Sequence, residues 1–144
     1  MPSNATPRRL RAEDILCRKV DPGQWDEDGV LPDAFRDRYD EQSFYLKSAK
    51  PPGALLRKFA SYPSLRTRFG RPHLDENDLY RFGYRVAEVN YGELAALGCT
   101  VKQTGAGNDY GDDGHVNIAG AKAYAEEIAI VARISPQHEC VGAG

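Results

Sequence analysis

The chain has 144 residues, a formal net charge of −2, 41% hydrophobic and 28% charged side chains. That length can bury a core without disulfides or metal, and the near-neutral balance argues against a wholesale nucleic-acid binder and against a disordered acidic chain. No apolar run approaches the 18 residues that a membrane helix needs, so no membrane is expected as a partner.

Residues 1–11 carry prolines and arginines without the apolar core of a secretion signal, and read as a flexible arm. Residues 12–134 read as one domain and 135–144, "SPQHECVGAG", as a tail. Three cysteines (Cys17, Cys99 and Cys140) are an odd number without a C-x-x-C, which points to free thiols in a reduced, cytoplasmic setting. Cys17 and Cys99 lie in apolar, strand-like runs and suit small buried positions.

"DILCRKV" (14–20) alternates apolar and polar residues and predicts a strand that "DPG" stops. "QWDEDGVLPDAF" reads as a polar connector, and "SFYLK" (43–47) as a second strand. "PPG" then opens a helix with Leu55, Leu56, Phe59 and Tyr62 at helical spacing, which Pro63 interrupts. Residues 70–79 read as a loop, and "LYRFGYRVAEV" (79–89) as one strand or two divided at Gly83. "NYGELAALG" predicts a short helix that Asn90 caps and the left-handed Gly98 ends. "CTVKQT" and "HVNI" read as strands. "GAKAYAEEIAIVARI" reads as a long amphipathic helix, with Ala121, Tyr124, Ala125, Ile128, Val131 and Ala132 on its apolar face. The pattern predicts an α+β fold: a single compact domain with a mixed or mainly antiparallel sheet and helices packed on one side.

Charge is segregated along the chain. Residues 12–41 hold ten acidic and four basic side chains, whereas 42–74 hold no acid and seven cations: Lys47, Lys50, Arg57, Lys58, Arg66, Arg68 and Arg71. One reading is a binding face for RNA, DNA or a nucleotide, with Phe59, Tyr62 and Phe69 stacking on bases. The plainer reading pairs these cations with acids of the same chain and buries the aromatics in the core.

His115 ends the polar stretch "GNDYGDDGHVNIAG" (107–120) beside Asp112 and Asp113. A carboxylate next to an imidazole raises its pKa and orients it for acid or base chemistry. Asp109, Asp112 and Asp113 lack calcium-loop spacing, and His73 and His138 form no ligand pattern with His115, so no metal is expected. Nucleotide-cofactor fingerprints are absent, and no cofactor is expected. Arg18 on a first strand, Tyr45 on a middle one and His115 or Asn117 on a late one resemble the layout of folds that transfer ADP-ribose from NAD, although no late strand carries the usual glutamate. A metal-free ribonuclease built on His115 and Arg18 is an equal alternative.

The runs "ILCRKVDPGQWDEDG", "DAF", "LGCTVKQT" and "DDGHVNIAG" resemble a family of small bacterial proteins of unknown function, companions in conflict or mobile gene clusters. The resemblance covers residues 14–134 and makes Arg18, Trp25, Phe35 and His115 the shared residues. "FYLKS" departs from it, lacking the aspartate of a Leu-Ser-Val-Asp-like strand. Only one base is visible and no second reactive group at fixed spacing. The sequence therefore favours a small bacterial binding or accessory module acting through a protein partner or an anionic ligand. The alternative is a nucleotide- or nucleic-acid-directed enzyme with Arg18, Tyr45 and His115 at its site.

Overall fold

In the computed structural model, residues 10–36, 41–102 and 114–141 are described. The first strand, β1 (Ile15–Val20), forms because alternation offers apolar side chains to two sides at once. Leu16 and Val20 enter one core, and Cys17 enters the other. The acidic connector expected after it is structured. β2 (Trp25–Asp26) and β3 (Gly29–Val30) make a small hairpin, and a 3-10 turn at Pro32–Phe35 buries Ala34 and Phe35.

β4 (Gln42–Leu46) leads into α1 (Pro52–Ala60) and α2 (Pro63–Phe69). Pro63 ends one helix and starts the next, because a proline at the first helical position forfeits no hydrogen bond. The expected loop at 70–79 instead contains the start of α3 (Glu76–Arg81). Asp75 accepts from the Asp78 backbone amide, and Asp78 returns the bond to the Asp75 amide. Only the second half of the predicted 79–89 strand is extended, as β5 (Arg85–Asn90). α4 (Tyr91–Leu97) follows and ends at left-handed Gly98, as expected. Asn90 holds the cap position without a side-chain cap bond.

β6 (Thr100–Lys102) and β7 (His115–Ala119) pair with each other. The long helix expected from 120 is shorter. It begins as a 3-10 turn at Ala121–Tyr124, continues as α5 (Ala125–Val131), and gives way to β8 (Arg133–Ile134). Pairing of β8 with Ala87 and Glu88 on β5 overrides its helical periodicity. The segment expected to be a tail is packed: Ser135 is buried, and α6 (Gln137–Cys140) buries Cys140.

The six-stranded sheet has the order β6-β7-β4-β1-β5-β8, with every neighbouring pair antiparallel. The fold is thus α+β, one compact domain on a mainly antiparallel sheet. The helices cover both faces rather than one. α4, α5 and the turn at Phe35 pack over Leu16, Phe44 and Val89. α1, α3 and α6 pack over Cys17, Tyr45 and Val86. No helix among the described residues is long and apolar enough to cross a membrane.

Candidate functional site

The sheet has a seam at its centre. β1 pairs with β5 through six residue pairs, Ile15↔Asn90 to Val20↔Arg85. Its pairing with β4 is shorter: Leu16↔Leu46 and Cys17↔Tyr45, closed at one end by a bond from the Lys47 amide to the Ile15 carbonyl at 2.9 Å. Beyond Cys17 the two strands fork, and Arg18 fills the gap. Its Nε donates to the Ala34 carbonyl and its Nη1 to the Ser43 carbonyl, each at 2.9 Å. The guanidinium therefore replaces the ladder bonds that the fork removes and pins the 3-10 turn to β4. It also lies 5.6 Å from the Phe44 ring centre, on the face of Leu16 and Val20.

A cleft of about 470 Å³ opens in this fork. Its base is Arg18, Ser43 and Tyr45, and one wall is the end of α1, with Phe59 and Tyr62. Lys19, Asp21, Gln24 and Glu41 rim it. Lys19 bonds Asp21 at 2.5 Å, and its ammonium lies over the rings of Phe59 and Tyr84. Tyr62 is among the large apolar side chains left exposed.

Tyr45 and His115 are cross-strand partners on β4 and β7, which places their rings 5.2 Å apart. The imidazole Nε2 is 3.0 Å from the Ser43 hydroxyl, one diagonal step along the same face. Gly114 sets this imidazole's position. It adopts φ +72°, its carbonyl accepts from Leu46, and a Cβ there would stand 2.8 Å from that of Ala49. The Lys58 ammonium lies 5.9 Å from the Tyr45 ring centre.

The structure thus brings Tyr45 and His115 into contact, while Arg18 reaches the same strand from the opposite sheet face. The three meet around Ser43. The remaining sequence candidates are spread over several elements. Lys47 pairs with Glu88 and Glu139 at 3.0 Å each. Arg57 grips Glu76 with two bonds, and Arg71 lies 3.7 Å from Asp78. Arg68 lies over the Phe69 ring, Arg66 is half-buried on α2, and Lys50 is half-buried after β4. Phe69 stacks on Phe82 and meets Tyr84 edge-on, which packs it, partly buried, against the core. Asp109, Asp112 and Asp113 lie outside the described residues, among which no cluster of three or more potential metal ligands occurs.

Two features escaped the sequence reading. Ser43 has a simple signal, since strand alternation puts it on the face of Tyr45. The other is Glu88, whose side chain is 2% exposed in the middle of β5. Ser135 donates to it at 2.6 Å, and Lys47 and Arg133 surround it. Burial alone would raise its pKa, but the Ser135 bond and the Lys47 ammonium outweigh burial and hold it below the ordinary 4.5. Cys17, its β1 neighbour, is pushed up to about 12 by burial and then by the Glu88 charge, which leaves it a poor nucleophile. A carboxylate between the apolar Ala87 and Val89 was the available signal.

Comparison with known proteins found no matching family model, no matching curated protein and no matching solved structure.

Proposed function

We propose that the chain is a binding module that takes a small anionic aromatic ligand of the nucleotide class in the fork between β1 and β4. One observation carries this reading: the cleft sets the rings of Phe59 and Tyr62 within one volume with Lys19 and the polar groups of Ser43, Gln24 and Glu41. Its size falls in the range of small-molecule sites, and a base gains about 1–3 kcal/mol by stacking on an aromatic side chain.

Magnitudes select the phosphate partner. Arg18 makes two charge-assisted bonds to backbone carbonyls, each contributing on the order of 1.5–3 kcal/mol, so its guanidinium is fixed in place and cannot follow a phosphate. Lys19 holds a partly exposed pair with Asp21, and such pairs contribute about 0–1 kcal/mol. Lys19 can exchange Asp21 for a phosphate at little cost, while Arg18 keeps the fork open. The accessory role in a bacterial gene cluster implied by the family resemblance accommodates such a ligand as the signal to which the module responds.

The test is calorimetric titration with AMP and with adenosine. AMP should bind more tightly than adenosine and lose affinity as salt rises, and Lys19→Gln and Tyr62→Ala should each weaken AMP about ten-fold or more. No AMP binding at millimolar concentration, or affinity indifferent to both variants, rejects the reading.

A second, enzymatic reading is favoured by the 3.0 Å contact between Ser43 and His115. An imidazole at that distance can take a proton from a hydroxyl, so the pair has the elements of a base and its donor. Under this reading His115→Ala keeps AMP affinity but abolishes turnover of a nucleotide or RNA substrate.

A further inference from the structure

A second cleft, of about 560 Å³, lies at the opposite end of the β1–β4 pair. Its walls are apolar: Ile15 from β1, Leu46 from β4, and Pro51 and Pro52 where α1 begins. Its charged groups are Glu13, Asp14, Glu139 and a single cation, Lys47. Lys47 is already held by Glu139 and by the buried Glu88, 3.0 Å from each. A visitor to this groove therefore meets apolar walls under a negative field.

The neighbouring helix end does not reverse that field. A helix N-terminus attracts anions through its unpaired backbone N–H groups. Here the cap and the first helical residue are both prolines, which removes two of those N–H groups and leaves only the ones of Gly53 and Ala54, against three carboxylates. The groove also lies apart from the fork, sharing no lining residue with it.

We propose that this groove docks a basic, apolar peptide segment of a partner protein. Its apolar side chain would lie against Ile15, Leu46 and Pro52, and an adjacent Lys or Arg would pair with Glu13 and Asp14. Charge complementarity selects this occupant: an acidic or phosphorylated segment would bring like charge to three carboxylates. A second copy of the chain offering this same surface would do likewise. The open shape of the groove, bounded by two strand ends and a helix start, suits an extended chain.

The experiment uses the full chain and a fluorescein-labelled peptide of alternating leucine and arginine, followed by anisotropy. A leucine–glutamate peptide and hexylamine serve as comparison arms. Binding of the basic peptide that weakens at least ten-fold in Glu13→Lys supports the proposal. So does the same loss in Ser48→Trp, which fills the groove from an exposed position. Lys19→Gln and Tyr62→Ala should leave peptide affinity unchanged, which separates this site from the nucleotide cleft. Equal binding of the acidic peptide, indifference to both groove variants, or uptake of hexylamine with the peptide excluded overturns it. Urea midpoints of both variants within error of the parent show that any loss belongs to the groove.

Discussion

Two charged side chains, Arg18 and Glu88, show how the fold uses polar groups at its centre. Arg18 is the first of the sequence candidates, named there as a partner for His115 at a reacting site. Two of its five donors, however, go to the Ala34 and Ser43 carbonyls, where the strands part. Its planar fork suits that task better than a lysine ammonium would. Glu88 is the stronger test of the structure. Removing its charge takes one partner from Lys47, which keeps Glu139, and one from the exposed Arg133, and weakens the buried Ser135 bond, at a cost of about 1–3 kcal/mol. Glu88→Gln is expected to lower the unfolding free energy by that order in urea titration, with Lys47 and Arg133 losing their shared carboxylate. The acid limb follows from its pKa. Because the folded value lies below the unfolded 4.5, the stabilisation is present above pH 4.5 and disappears as pH falls through the folded value. A plot of stability against pH should therefore be flatter in that range for Glu88→Gln than for the parent. Equal slopes would show that Glu88 carries no such linkage.

At the scale of elements, the readable parts were those in which local preference and tertiary position agree. β1 and α4 are written in alternation and in a terminal glycine, and Tyr45 and Arg18 were found through the strands that carry them. α3 was lost because its start, Asp75 to Asp78, is a run of polar residues close behind Pro72 and looks like a loop. The Asp75–Asp78 exchange that turns those acids into a capping box depends on the helix already existing. Asp75→Ala is expected to cost about 1 kcal/mol, read as a lower urea midpoint. The same logic explains α5. Its apolar spacing runs on past Val131, but a six-residue neighbour, β5, offers backbone partners to the last turn and takes it as β8. Ser43 and Glu88 left only a faint local trace, strand alternation for one and a carboxylate between apolar neighbours for the other. Their importance comes from partners 72 and 47 residues away in the chain, a distance that no local spacing reports.

For the whole molecule, the largest revision concerns the last residues. A sequence of Ser, Pro, Gln and His reads as a solvated tail, yet Ser135 caps the buried Glu88 and Cys140 completes the core under α1. A chain ending at residue 134 is expected to lose about 3 kcal/mol or more of stability, since it uncovers the core that Cys140 completes and takes the hydroxyl donor from Glu88. Chemical denaturation of the truncated chain checks this, and an unchanged midpoint would return the segment to the status of a tail. The sequence's charge segregation has a structural reading too. The cations of 42–74 draw on acids that lie after them, Glu76, Asp78, Glu88 and Glu139, as well as on aromatic rings. The acid-rich segment before them is left to rim the two clefts, with Asp21 and Glu41 at one and Glu13 and Asp14 at the other.

The two-pair junction between β1 and β4 has a mechanical meaning. It divides the sheet into two leaves of three strands, joined at Leu16–Leu46 and Cys17–Tyr45 as a book is joined at its spine. Prying the leaves apart on one side of that spine is expected to press them together on the other, so saturating AMP should alter peptide affinity at the opposite margin, and an unchanged affinity would show a rigid spine. A molecule built this way can convert one wedge into a pinch some residues away, with no moving loop required.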